Sequence, residues 1–523
     1  MDNDVVVVGG GIAGLTASAF LAKSGIDVLL LEKNGDIGGL VNSFKRNGFT
    51  FDGGIRATEN SGILFPMLRK LGIEIDFAEN EVSLGFKKDV VYLKDPGNLK
   101  EYGDLLKKHF KNEASNIDRI LAEIKKINNY VDILYGIDNP IFLDIKKDRK
   151  YLLKVILPWI FKYITTVNKV ERLKVPIKDH LANFTKDASL VDIIAQHFFE
   201  ATPAFFALGY FSIYTDYHYP TGGTGTLTQR LKDNILENKG IIKCDTEIKS
   251  IDTEKGLAAD IKGNEYNYKK LIWAADLKML YKILQIEKIK NKSTREKITK
   301  VKDITLDKKG GESVFTLYLC TDLDKKYFSD IASGHFFYTP SLKGLSNAGS
   351  IGKPTKNNIL KWLKEYISLN TFEISIPVLR DSSLAPEGKA GLIISILFDY
   401  DIIKNISDSG WYDEFKKICE DQIIEVLDKS IYPGLAKKII NQFSSTPMTF
   451  KKRYNNSEGA ITGWAFTNNN IPVETRMIKI ASIPITPIPD IFQAGQWAYS
   501  PSGLPTSIMA GKMAADRAIK ELK

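Results

Sequence analysis

The feature that most constrains this chain is a glycine turn between a short apolar strand and a helix, close to its start. The run Val5-Val6-Val7-Val8 is followed at once by Gly9-Gly10-Gly11-Ile12-Ala13-Gly14, and residues 15–23 have the Ala and Leu content of a helix. A second apolar run, Val28-Leu29-Leu30-Leu31, ends in Glu32 and completes a βαβ unit of about thirty residues. Unbroken apolar runs of this kind are typical of a parallel sheet buried on both faces. The sequence therefore predicts an α/β fold.

The spacing of the first glycines predicts a dinucleotide site. Gly9 permits the tight turn, Gly11 lets the backbone approach a pyrophosphate, and Gly14 allows close packing of helix against strand. The helix N-terminus at Ile12 and Ala13 offers N–H groups and the positive end of a dipole to the phosphates. Glu32, with Lys33 beside it, ends the second strand, where its carboxylate is placed to accept both hydroxyls of an adenosine ribose.

A second glycine pair separates FAD from NAD as the predicted cofactor. The chain continues with Gly38-Gly39-Leu40 and then with Phe51-Asp52-Gly53-Gly54-Ile55, which a nicotinamide dehydrogenase does not need. These motifs resemble the flavin-binding end of the phytoene desaturase family, which includes carotenoid isomerases and retinol saturases and is related to the flavin amine oxidases. The resemblance implies non-covalent FAD, with Gly38, Gly39, Leu40, Gly54 and Ile55 near it. The family commonly has Arg where this chain has Leu40, so one phosphate contact is expected to be absent.

The resemblance extends along the chain in the family's order. Matching segments are Tyr219 to Gly225 and on to Ile248, then Ala274-Ala275-Asp276, residues 380–388, Ala494-Gly495-Gln496-Trp497 and Gly503-Leu504-Pro505. It implies that the backbone at Ile248 meets the adenine and that Gln496, where an Asp is common, bonds the ribityl chain beside Gly495. It also implies that the helix opened by Gly503-Leu504-Pro505 directs its N-terminus at the flavin pyrimidine.

Two domains with interrupted segments are expected. The Rossmann-type FAD-binding domain is predicted to comprise residues 1–75, 219–285 and 485–523, and the substrate domain residues 76–218 and 286–484. The substrate domain is predicted to be α+β. It would have helices between residues 99 and 180 and a mixed or antiparallel sheet built from runs at 314–319, 335–338, 372–377 and 392–398.

By resemblance, the protein would act on carbon–carbon bonds of a hydrophobic polyene, isoprenoid or steroid-like substrate through hydride transfer at flavin N5. Desaturation, saturation and double-bond isomerisation stay open. Arg56 is the candidate catalytic residue, although a surface or ion-paired role fits it equally well. Aromatic side chains that suit either an apolar tunnel or a core are Phe198, Phe199, Phe205, Phe206, Tyr210, Phe211, Tyr214 and Tyr217. The alternatives are a flavin amine oxidase and a non-catalytic flavin-binding protein.

The composition of the chain limits which kinds of partner are expected. The chain of 523 residues has 72 Lys+Arg against 63 Asp+Glu, a net charge of +9, with the signs interspersed, so nucleic acid is not favoured as a partner. Three cysteines without a CxxC support neither a disulfide framework nor a metal site.

The apolar stretch Tyr151 to Val167, with basic residues around it, fits a membrane-surface helix or a packed amphipathic helix. An apolar strand directly after Met1 leaves no room for a secretory signal, so a cytoplasmic protein is expected, with peripheral membrane contact as a possibility.

Overall fold

The computed structural model describes residues 2–94, 99–144 and 147–523. The strands are β1 Asp2–Val8, β2 Val28–Leu31, β3 Ser43–Arg46, β4 Phe49–Asp52, β5 Thr58–Glu59, β6 Phe77–Glu79, β7 Val82–Phe86, β8 Asp89–Leu93, β9 Tyr217–Pro220, β10 Ile241–Lys243, β11 Ile248–Asp252, β12 Leu257–Asp260, β13 Glu265–Trp273, β14 Ser313–Thr321, β15 His335–Thr339, β16 Phe372–Ser375, β17 Ala390–Phe398, β18 Ile439–Ser445 and β19 Ile491–Gln493. The helices are α1 Ile12–Lys23, α2 Leu64–Leu71, α3 Leu99–His109, α4 Ala114–Tyr135, α5 Arg149–Tyr151, α6 Leu157–Glu171, α7 Ile177–Leu181, α8 Ala188–Ala195, α9 Ala204–Ile213, α10 Gly225–Glu237, α11 Leu277–Ile283, α12 Lys292–Asp307, α13 Lys325–Ser329, α14 Lys356–Leu369, α15 Tyr400–Asp408, α16 Tyr412–Ser430, α17 Pro447–Tyr454 and α18 Leu504–Leu522.

The first sheet is the dinucleotide-type sheet that the sequence predicts. Its strand order is β10-β2-β1-β13-β12-β11, with β19 paired to β13. The pairs β10–β2, β2–β1, β1–β13 and β13–β19 are parallel. Helix α1 packs against α18 and α10 on one face, and its side chains from Ile12 to Ala22 are buried. Parallel strands buried by helices on their faces require the continuous apolar runs seen in β1 and β2.

The second sheet is mixed and carries most of the remaining strands. Its order is β18-β14-β17-β16-β15-β7-β8, with β15 and β7 parallel and the other neighbours antiparallel. Helices α14 and α16 pack on it and share one apolar core with β14 and β17. A helical layer of α3, α4 and α6–α9 forms a separate core with β7. The predicted fold class, a Rossmann-type unit with an α+β unit, is confirmed, whereas the predicted domain boundaries stay a prediction.

A small sheet joins parts of the chain that are distant in sequence. Its order is β5-β9-β6, so Glu59 on β5 pairs with Tyr217 on β9, and Ala78 on β6 pairs with Tyr219. This sheet places Thr58 and Glu59, which follow the Gly53-Gly54 pair, beside Tyr217 and His218, which precede the internal segment that begins at Tyr219. Within the part of the chain that the structure describes, no helix is both long enough and apolar enough to cross a membrane.

Candidate functional site

The first glycine turn packs tightly on one side and opens on the other. Gly9 has a φ of +108°, and a Cβ there would lie 2.7 Å from the carbonyl oxygen of Ala274, so a side chain is excluded. A Cβ on Gly14 would lie 1.9 Å from the carbonyl oxygen of Gly9, because α1 meets its own strand at this point. Gly11, in contrast, has no atom within 4 Å of its Cβ position. It caps α1 without a side-chain hydrogen bond, which leaves the first-turn N–H groups for an anion.

Glu32 is bound to this turn. One carboxylate oxygen, Oε2, accepts a hydrogen bond from the backbone N–H of Gly10 at 2.7 Å. The other, Oε1, accepts from the backbone N–H and the side-chain amide of Asn34, both at 2.9 Å. A carboxylate has about four lone-pair sites, so one further donor can still be accepted. The Glu32 side chain is therefore held in place before any ribose reaches it.

A cavity of about 130 Å³ lies over the turn, and we call it the glycine-turn cavity. Its walls include residues from both ends of the chain, namely Gly9, Gly11, Ile12, Ala13, Glu32, Asn34, Gly38, Gly39, Leu40, Ala274, Ala275, Tyr454, Asn456, Gly495, Gln496 and Trp497. The indole Nε1 of Trp497 is buried and has no hydrogen-bond partner among the described residues. An unpaired buried donor is costly, so its presence beside this cavity fits a bound acceptor such as a phosphate or flavin oxygen.

A second cavity, the central cavity, adjoins the first and has a volume of about 270 Å³. The two share Ile12, Leu40, Val41, Gln496 and Ser507 as lining residues. Arg56 borders the central cavity and is 4 % exposed. Its guanidinium donates to the carbonyl oxygen of Gly54 and to the hydroxyl of Ser395, while its Nε has no partner among the described residues. The alternative of a surface position for Arg56 is thereby wrong.

The central cavity contains an acid whose charge is balanced by buried cations. Burial alone would raise the pKa of Glu373, but the His335 ring and the guanidinium groups of Arg56 and Arg380 outweigh burial and hold that pKa below its usual range. Nε2 of His335 lies 3.2 Å from Oε1 of Glu373. Burial lowers the pKa of His335, so its ring is neutral near pH 7. Arg380 in turn donates to the backbone carbonyl of Arg56 at 3.0 Å.

The third cavity is apolar and has a volume of about 310 Å³. It lies between α4, α6, α9 and the start of α18, and its wall includes Ile63, Leu134, Ile213, Met509 and Met513. Five residues line both this apolar cavity and the central cavity: Glu59, Phe206, Tyr210, Ser502 and Gly503. The apolar cavity therefore lies directly beside the central cavity.

The comparisons with known proteins agree with this arrangement. Residues 7–71 match the family model described as an NAD(P)-binding Rossmann-like domain. The chain is 25% identical over 474 residues to the chloroplastic prolycopene isomerase of Daucus carota, covering 86% of this chain and 70% of that protein. It is 21% identical over 544 aligned positions to a 4,4'-diapophytoene desaturase of Staphylococcus aureus, covering 99% of both chains. The chain therefore has homologues named as a prolycopene isomerase and a diapophytoene desaturase.

A solved structure has the same fold as this chain. A redesigned putrescine oxidase superposes with a TM-score of 0.62 over 100% of this chain and 99% of that one, at 12% identity. At that identity the likeness extends to the fold alone.

The family's motif residues fall into three groups in the structure. Those that line the glycine-turn or central cavity are Gly9, Gly11, Ile12, Ala13, Glu32, Gly38, Gly39, Leu40, Gly54, Ile55, Gly495, Gln496, Gly503 and Leu504. Pro505 lines the apolar cavity, and Gly14 packs beneath the turn. Lys33 and Ile248 border none of the three cavities: the Lys33 ammonium donates to the carbonyl of Lys452, and Ile248 is a core residue at the start of β11. Cofactor contact stays a prediction for every one of them.

The predicted aromatic tunnel is only partly formed by the residues named for it. Phe199, Phe206, Tyr210 and Tyr217 line the central cavity, and Phe205 lines the apolar one. Phe211 and Tyr214 are buried in the helical core, and Phe198 packs against it. The sequence reasoning did not identify Glu59, His335 and Glu373, which border the central cavity but lie in no local motif. Asn34, two residues after Glu32, could have been found from its position.

Proposed function

We propose that the protein is an FAD-dependent oxidoreductase that acts on carbon–carbon bonds of a hydrophobic polyene, isoprenoid or steroid-like substrate. The observation that carries this proposal is the apolar cavity, which adjoins the central cavity and shares Phe206 and Tyr210 with it as lining residues. Its named relatives, an isomerase of prolycopene and a diapophytoene desaturase, support the substrate class. Each apolar CH₂ group buried in such a cavity contributes about 0.8 kcal/mol to binding, so a long hydrocarbon needs few polar contacts.

The residues around the glycine-turn cavity fit FAD. Gly11 leaves room for the pyrophosphate, Glu32 is placed for the adenosine ribose, and Gln496 borders both cavities, where it could bond a ribityl chain. The N-terminus of α18 has Gly503 as its cap, with the Gly503 backbone N–H donating to Thr506 Oγ1, and it borders the central cavity where the flavin ring would lie. When bound, FAD supplies the hydride acceptor or donor. The chain's own residues hold it, exclude water and orient the substrate.

The charges in the central cavity disfavour an amine substrate. A protonated amine would enter beside Arg56, which lines the cavity, and the charge of the Glu373 carboxylate is already balanced by His335 and by the guanidinium groups of Arg56 and Arg380. Like charges in a partly dry cavity repel, so binding of a cation would lose free energy here. A hydrocarbon carries no such penalty.

Anaerobic incubation tests the proposal. The FAD-loaded protein would be mixed with extracted lipids and linear polyenes, with and without a reductant, and the products analysed by mass spectrometry. Loss of two hydrogens indicates desaturation, gain of two indicates saturation, and an isomer of equal mass indicates isomerisation. A protein that binds FAD and changes no polyene would leave the non-catalytic alternative. Turnover of a simple amine would favour the amine oxidase alternative.

We also propose that the substrate arrives from a membrane surface. Trp159 and Tyr163 of α6 line the apolar cavity. The outer side of the same helical region carries exposed apolar residues that the core does not cover: Leu153, Leu157, Ile160, Phe161 and Ile164. Exposed lysines Lys154 and Lys162 alternate with them, the pattern of a helix lying on an anionic lipid surface. This proposal implies a cytoplasmic protein with peripheral membrane contact.

A further inference from the structure

One carboxyl group lies where the central cavity and the apolar cavity meet. Glu59 is at the end of β5, and its side chain lines both cavities. Its Oε1 lies 3.8 Å from the position that a Cβ on Gly503 would take, at the start of α18. A molecule bound in either cavity therefore has this carboxyl in its wall.

The Glu59 side chain has no counter-ion. Among the described residues, neither a side-chain hydrogen bond nor an ion pair is formed by its carboxyl, which interacts only with its own backbone N–H. Asp216 lies close enough to add a like charge, and its own Oδ2 accepts from the backbone N–H groups of Asn60 and Ser61 at 3.0 Å. Arg56, three residues earlier, directs its guanidinium at Gly54 and Ser395 instead.

The other titratable groups near Glu59 are neutral or already paired. Tyr210 on α9 and Tyr217 on β9 have pKa values raised by burial, so both are phenols near pH 7. Glu373, farther into the central cavity, is beside His335. From α18 the neighbouring cavity residues are Thr506 and Met509, which do not titrate. Burial, with a smaller contribution from Asp216, raises the pKa of Glu59 to about 8. At neutral pH this side chain is therefore an acid that retains its proton.

We propose that Glu59 exchanges the proton that accompanies hydride transfer to or from the substrate, and this inference rests on the function proposed above. In the saturating direction the substrate's π bond breaks and two C–H bonds form. Glu59 gives its proton to one carbon, and the other carbon takes the hydride supplied by reduced FAD, so the substrate is reduced and FAD oxidised. In the desaturating direction the Glu59 carboxylate takes a proton from one carbon as the neighbouring carbon loses a hydride to oxidised FAD. In isomerisation Glu59 transfers its proton to the substrate and then takes a proton back from it.

The direction of the pH dependence distinguishes these cases. A proton donor must be protonated, so the rate of saturation is expected to fall as the pH rises through about 8. A proton acceptor must be ionised, so the rate of desaturation is expected to rise through the same range.

The test compares Glu59→Gln with Glu79→Gln. Glu79 is an exposed acid on β6 of the same small sheet and lines none of the three cavities, so it controls for the loss of one carboxyl. Three quantities are measured: released FAD, the infrared C=O band of a protonated carboxyl, and the rate of conversion of a linear carotene as a function of pH. Glu59→Gln should keep its FAD, lose the carboxyl band, convert carotene about 10²–10⁴-fold more slowly and show no rate change near the Glu59 pKa. Glu79→Gln should match the wild type in all three.

The outcomes separate this inference from the proposed function. Wild-type protein that binds FAD but changes no carotene in any direction would overturn the proposed function, and the inference with it. Wild-type protein that converts carotene while Glu59→Gln does so equally fast would overturn the role of Glu59 alone. Loss of FAD from Glu59→Gln would also overturn it, because the residue would then support the cofactor. Glu59→Asp retains an acid on a shorter side chain and should recover part of the rate.

Discussion

Replacement of Glu32 is the sharpest test of the cofactor site. In the structure its carboxylate accepts three hydrogen bonds of 2.7–2.9 Å from Gly10 and Asn34. The ribose of FAD would add a further donor to the same group. A hydrogen bond to a charged group contributes about 1.5–3 kcal/mol, and each 1.4 kcal/mol is tenfold in affinity. Glu32→Ala should therefore weaken FAD binding by about tenfold to a hundredfold.

The assay has two parts because the Glu32 carboxylate accepts hydrogen bonds within the fold and is also proposed to bind the ribose of FAD. Apoprotein would be titrated with FAD by flavin fluorescence, and thermal unfolding would be followed without FAD. Glu32→Gln is the matched variant, since it keeps the side-chain length and one acceptor oxygen. It should lie between wild type and Glu32→Ala in both measurements. Equal FAD affinity of wild type and Glu32→Ala would refute the assignment of the ribose to this residue.

Three further perturbations follow from the contacts described. Gly14→Ala would put a Cβ 1.9 Å from the Gly9 carbonyl oxygen, so overpacking should lower stability by about 1–3 kcal/mol and release FAD; unchanged melting and FAD content would contradict this. Burial raises the pKa of Glu312 to about 7, above its unfolded value of 4.5, so the stability it contributes is present at low pH and is lost as the pH rises through 7; Glu312→Gln should reduce the fall in unfolding free energy between about pH 5 and about pH 8, measured by urea denaturation. Phe161 is 77% exposed, so Phe161→Ser should leave folding unchanged but reduce pelleting with anionic liposomes at low salt; wild-type protein that stays in the supernatant would refute the lipid contact.

The parts that the sequence predicts well are those in which local pattern and structure coincide. The glycines lie as predicted, with Gly9 to Gly11 between β1 and α1 and Gly14 in the first turn of α1, because their chemistry depends on neighbours in sequence. Strands β14 to β17 of the second sheet also lie where their apolar runs predict them, whereas β7, β8 and β18 of that sheet were not predicted. The membrane-surface alternative for the stretch Tyr151 to Val167 stays a prediction, although the helix does expose an apolar side.

The cavity residues that the sequence does not predict are brought together by contacts between distant parts of the chain. Glu59 reaches the cavities because β5 pairs with β9, across more than 150 residues of chain. His335 and Glu373 meet because β15 pairs with β16. No local motif signals either pairing. The aromatic cluster was only partly separable in principle. Phe206 and Tyr210, four residues apart, lie on the cavity side of α9, and Phe211 lies on its core side. Tyr214 follows α9 with the same four-residue spacing and is nevertheless in the core.

Phe206 borders not only the central and apolar cavities but also a more open cavity of about 680 Å³ lined by residues 465–477. A mutation at this one codon therefore changes the available length in three directions at once, while the glycine turns are left untouched. Phe206, which borders the space open to a substrate, is thus distant in sequence from the glycine turns that are proposed to hold the cofactor. Small replacements around this one ring would therefore alter the walls of all three cavities and leave the glycine turns unchanged.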